Sequence, residues 1–146
     1  MNKTITFAFA VNHSNIFEAN HFGDADKYLI FKREGADFLL QNELINEFKN
    51  LDETPGHSSP EKGKAIIRLL QRNDVQVLVS RQFGINIKMV NQFFIPVKIR
   101  KETIDEVIAS LGKHIRWIED ELGNNLNRFN LFAINEGILK TGILDK

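Results

Sequence analysis

With 146 residues, 42% of them hydrophobic and 26% charged, the chain has an ordinary globular composition and the length of one layered domain, a size that buries about 70% of the unfolded surface. Nineteen basic residues balance nineteen acidic ones, so no overall field draws the chain to nucleic acid or to an anionic membrane surface. The absence of cysteine excludes disulfides, thiolate ligands and a thiol nucleophile, and leaves histidine and carboxylates for any metal.

The N-terminal stretch MNKTITFAFAV carries one lysine and a short alternating run with no cleavage-site pattern, which does not fit a signal peptide. No run reaches the roughly 18 apolar residues that span a bilayer. The expected compartment is the cytoplasm, with neither membrane nor nucleic acid as a partner.

Residues 4–11, TITFAFAV, alternate Ile5, Phe7, Phe9 and Val11 with small residues, the pattern of a central strand covered on both sides. After a loop from Asn12 to Asp26, KYLIFKR at 27–33 reads as a second strand. The turn Glu34-Gly35-Ala36-Asp37 leads into a third, FLLQNELINEF, and so short a link makes the two antiparallel neighbours. The polar segment from Lys49 to Pro60 is a loop. Ser59 suits a helix N-cap, Pro60 the first helical position and Glu61 the positive end of the dipole, for a helix running to about Asn73.

VQVLVS at 75–80 is a buried β-branched strand. A short helix from Ile85 to Gln92 and a strand, FIPVKI, follow. Pro96 lacks a ladder donor, which places that strand at a sheet edge. Residues 102–122 repeat Ile104, Val107, Ile108, Leu111, Ile115, Ile118 and Leu122 at the helical period, with Gly123 set to stop the helix. The chain divides into 1–122 and a C-terminal extension, 123–146, that fits a strand, a docked arm or a partner-binding tail.

This order of elements specifies an α/β fold, a mixed sheet with helices on both faces. Right-handed crossovers make strands three, four and five parallel, and strand one joins them if it pairs with an antiparallel strand two. The loops Asn12–Asp26, Lys49–Pro60 and Arg81–Gly84 then meet at one sheet edge, where open α/β sheets bind ligands. His13, His21 and His57 fall in those loops, and His114 does not. Neutral imidazoles ligate metals and helix starts favour anions, so this edge suits an anionic metal complex.

The run His21-Phe22-Gly23-Asp24-Ala25, the aromatic-bearing KYLIF behind it, GHSSPEKG at 56–63, NDVQVLVS at 73–80, Phe83-Gly84 and FIPV at 94–97 together resemble the dinitrogenase iron-molybdenum cofactor biosynthesis family. The likeness covers about residues 4–108. It implies a three-layer α/β/α, ribonuclease H-like fold with a mixed five-stranded sheet, and a small non-catalytic carrier or chaperone for an iron-sulfur-type, iron-molybdenum-type or other anionic metal cofactor that meets a donor or acceptor protein. His21 and His57 become the metal contacts, with Phe22, Gly23 and Gly84 lining the cofactor site and Gly63 paired with His57.

Three plainer readings stand beside this one. His21 can simply cap a loop, with Phe22 plugging the core and Gly23 supplying an unusual backbone angle. A nuclease needs clustered carboxylates, the first usually on the central strand, and TITFAFAV has none. The alternative to a cofactor carrier is an interaction domain that associates with a second chain, a homo-oligomer included, through its C-terminal tail.

Overall fold

A computed structural model describes residues 4–50, 60–124 and 128–142. Its centre is strand β1, Ile5–Val11, buried throughout. Alternation sends Ile5, Phe7, Phe9 and Val11 into one apolar layer and Ala8 and Ala10 into the other. β2, Lys27–Glu34, returns antiparallel along β1, and a left-handed Gly35 turns the chain into β3, Asp37–Ile45, antiparallel to β2.

Helix α1, Pro60–Arg72, lays Ile66, Ile67 and Leu70 on the layer that holds Ala8 and Ala10. It leads to β4, Val77–Ser80, parallel to β1. A one-turn helix α2, Ile87–Val90, precedes β5, Ile95–Lys98, parallel to β4. Helices α3, Ile104–Lys113, and α4, Ile115–Asn124, cover the other face through Val107, Leu111 and Ile118. Thr103 starts α3 with a capping box to Glu106, which satisfies two otherwise orphaned helix-end donors.

The strand directions expected from connectivity hold: β1, β3, β4 and β5 run together and β2 runs against them. The strand count does not. Leu131–Asn135 (β6) pairs parallel to β5, and Ile138–Gly142 (β7) pairs back on β6, so the mixed sheet has seven strands in the order β3-β2-β1-β4-β5-β6-β7 rather than five. The link between β6 and β7 is Glu136-Gly137, with φ of 54° and 79°. Two successive left-handed residues make a tight hairpin turn whose usual signature is Asn-Gly or Asp-Gly, and Glu136 disguises it.

Two further expectations are corrected. β5 lies inside the sheet, between β4 and β6, not at an edge. Ile95 and Ile99 donate their N–H groups toward the β4 side, so by alternation Pro96 turns its missing donor toward β6, where pairing begins only at Val97. The helix expected over 102–122 is two helices that meet at His114, with φ of −115°. Gly112, a weak helix former, sits just ahead of the break, and the final helix ends at Asn124, one residue beyond Gly123.

Candidate functional site

After β1 the chain comes back to the sheet edge at His21, which forms a parallel bridge with Gln82, and Phe22 N–H donates to the Gln82 carbonyl at 3.0 Å. The Phe22 ring is fully buried and lies 6.0 Å from that of Phe83. Beneath this turn, a set of buried side-chain donors binds its carbonyls, which burial would otherwise leave short of partners. The Tyr28 hydroxyl donates to Phe22 O at 2.8 Å, and Asn46 Nδ2 donates to Gly23 O at 3.0 Å and to Ala25 O at 2.8 Å. Burial, with a smaller contribution from the Asp24 charge, pushes the Tyr28 hydroxyl pKa well above its ordinary value. Ala10 stands opposite Tyr28 in the β1–β2 register, and its small side chain leaves the ring room.

The His21 side chain is 21% exposed. Its Nδ1 accepts the Gly23 N–H at 3.1 Å, and because an amide only donates, the proton of the neutral ring sits on Nε2. That nitrogen lies 3.4 Å from Asp24 Oδ2, while Asp24 Oδ1 takes Lys62 Nζ of α1 at 2.8 Å. His21, Asp24 and Lys62 thus form a row from the rim to the helix. In this arrangement the imidazole offers an N–H donor and no free lone pair, and ligation through Nε2 requires that proton to leave.

Gly23 is required for space. A Cβ there would stand 2.9 Å from His21 Cε1 and 3.3 Å from Lys62 Cε, whereas its backbone lacks the left-handed φ expected of it. Gly84 is the reverse case: φ is +66°, and a Cβ would make an ordinary 3.5 Å contact with His21 Cβ.

On the other side of the Arg81–Gly84 turn opens a cleft of about 800 Å³ at the carboxyl ends of β4, β5 and β6. Arg81, Lys98, Arg100 and Lys101 line it, together with the carboxylates of Glu102 and Glu136. Among the described residues none of the four cations forms an ion pair. Asn135 Oδ1 accepts a long hydrogen bond from Arg100 Nη1 at 3.3 Å, and the Arg100 backbone N–H donates to Glu102 Oε1 at 2.7 Å.

The structure therefore brings His21, Phe22, Gly23 and Gly84 together at the expected edge. His57, the expected N-cap Ser59 and most of the Lys49–Pro60 loop lie outside the described residues. Where that loop begins, Lys49 pairs with Asp26, and the hydrogen bond from its ammonium is the main cause holding the Asp26 carboxyl below its ordinary range. His13 is exposed, with Nε2 3.9 Å from Asp26 Oδ1. His114 stands apart at the junction of α3 and α4, its ring 5.4 Å from Trp117.

Sequence reasoning missed Tyr28 and Asn46 under the turn, Asp24 and Lys62 beside the imidazole, and the cations of the cleft. The run Lys98-Ile99-Arg100-Lys101 at a strand end was the available signal for the last. Among the described residues no group of three or more histidine, aspartate or glutamate side chains could hold a metal ion.

A protein-family model described as dinitrogenase iron-molybdenum cofactor matches residues 3–114, which span β1 to the end of α3 and leave β6 and β7 outside. No curated protein matches the chain.

Proposed function

The chain belongs to the dinitrogenase iron-molybdenum cofactor family, and from that membership we propose that it is a non-catalytic carrier. Its cargo is a pre-assembled anionic metal cluster of iron-sulfur or iron-molybdenum type, held beside His21, Phe22, Gly23 and Gly84 and passed between a donor and an acceptor protein. The observation that carries this reading is the docking of the His21 turn on the Arg81–Gly84 turn, which sets a partly exposed imidazole beside Gly84 at the sheet edge.

The donor chemistry favours a ready-made cluster over a bare ion. A free zinc-like ion needs about four protein ligands, and neither cysteine nor a three-member histidine and carboxylate group is available among the described residues. A cluster brings its own sulfides and asks the protein for charge, hydrogen-bond donors and at most one further ligand. His21 meets that need by turning its Nε2–H from Asp24 to an acceptor on the cargo, since a 3.4 Å contact is long and readily exchanged. The lack of any carboxylate on β1 supports a carrier rather than a two-metal hydrolase.

Anaerobic incubation of the purified protein with an iron-sulfur cluster, then gel filtration and metal analysis, tests the proposal. Retention by the wild type, weakened about tenfold or more in His21→Ala at an unchanged melting midpoint, is expected. Equal retention by the two proteins, or none by either, would overturn it.

A further inference from the structure

We infer that the cleft between the Arg81–Gly84 turn and the β6–β7 hairpin binds a phosphate-bearing small molecule of nucleotide class, without any metal. Three features of the cleft point the same way, and none of them depends on the carrier reading.

The first is charge of the right kind. Two guanidinium groups, Arg81 and Arg100, and two ammonium groups, Lys98 and Lys101, line one opening without ion-pair partners among the described residues. A guanidinium presents a planar fork that matches two phosphate oxygens. Arg100 stands at the edge of the opening, with one arm of its fork 3.3 Å from Asn135 Oδ1, a long contact that a phosphate oxygen can replace.

The second is size and floor. About 800 Å³ lies inside the roughly 300–1,000 Å³ range of small-molecule sites. The half-buried Ile87 and Leu131, backed by the buried Phe83, give the cleft an apolar wall, which a bare inorganic anion leaves unused and a base can cover.

The third is the pair of carboxylates. Glu102 and Glu136 share the lining with the four cations and would repel an ion that was anionic all round. Sugar hydroxyls can donate to a carboxylate, as they do in dinucleotide sites. A molecule with phosphates at one end, hydroxyls in the middle and a flat apolar body at the other satisfies all three parts of the lining.

Calorimetric titration of the metal-free protein with ADP, adenosine and inorganic pyrophosphate at low salt is the test. Saturable ADP binding is expected, tighter than that of either fragment and weakening as salt is added. Arg100→Gln should loosen it by about tenfold or more, while Arg116→Gln on the exposed face of α4 leaves it unchanged and both variants keep the wild-type melting midpoint. The absence of saturable ADP binding overturns the inference, as does equal binding by Arg100→Gln and the wild type. Pyrophosphate binding as tight as ADP overturns the nucleotide class. Because no metal is present, these outcomes are independent of whether the protein retains a cluster.

Discussion

Gly23 sets the tautomer of the neutral His21 ring: its amide donates to Nδ1 at 3.1 Å, which places the ring's N–H at Nε2. A methyl group at residue 23 would meet the ring at 2.9 Å, so Gly23→Ala should swing the imidazole away and cost about 1–3 kcal/mol by overpacking. Gly84→Ala should cost about 1–2 kcal/mol through its left-handed backbone and leave the ring where it is. NMR of the histidine ring nitrogens separates the two: the Nε2–H pattern persists in Gly84→Ala and is lost in Gly23→Ala.

Asn46 supports the turn from below with two bonds to the carbonyls of Gly23 and Ala25. Asn46→Ala leaves both acceptors buried and unpaired, at a cost of about 1–3 kcal/mol. Lys32→Ala, toward the end of β2 and only partly buried, should stay within about 0.5 kcal/mol of wild type. Chemical denaturation of the two variants measures the difference.

Tyr28 is the chain's single tyrosine, so its phenolate can be followed without interference. Burial raises its pKa in the folded state, which means the folded protein holds that proton more tightly than the unfolded chain does. The stabilisation is complete below the unfolded value of about 10 and disappears as pH rises toward the folded one. An alkaline titration should therefore show no tyrosinate absorbance until the circular dichroism of the fold collapses, and the two transitions should coincide. A tyrosinate signal that develops while the fold is intact would contradict the burial.

Phe132, Ile134 and Leu139 belong to the same core layer as β1. A chain ending at residue 122 loses all three and uncovers the flank of β5. Truncation of a large buried side chain costs about 2–5 kcal/mol, and three such losses are as large as the whole margin of about 5–15 kcal/mol of a small domain. The shortened protein should be insoluble or unfolded by circular dichroism, and a cooperative melt near the wild-type midpoint would show the hairpin to be dispensable.

Much of the architecture was legible because period-two burial is a strong signal. TITFAFAV announces a central strand, and connectivity orders the directions of β2 to β5, with β1 following once it pairs with β2. The meeting of His21 with Gly84 followed from those directions. The hairpin was hidden because Glu136 occupies a left-handed position that Asn or Asp usually marks, and β6 pairs with a strand whose Pro96 is the mark of an edge. Losing β6 from view also concealed the cleft, since Asn135 and Glu136 form its far side. Tyr28 and Asn46 act through backbone carbonyls of a turn, and no residue pattern records which carbonyls a fold leaves open.

The two flanks of the cleft come from different lengths of chain, Arg81 from within residues 3–114 and Asn135 from beyond them. An exchange at the tip of the hairpin can reshape the groove without disturbing the bonds that Tyr28 and Asn46 make beneath the imidazole. The lining and the frame are in this way separately adjustable.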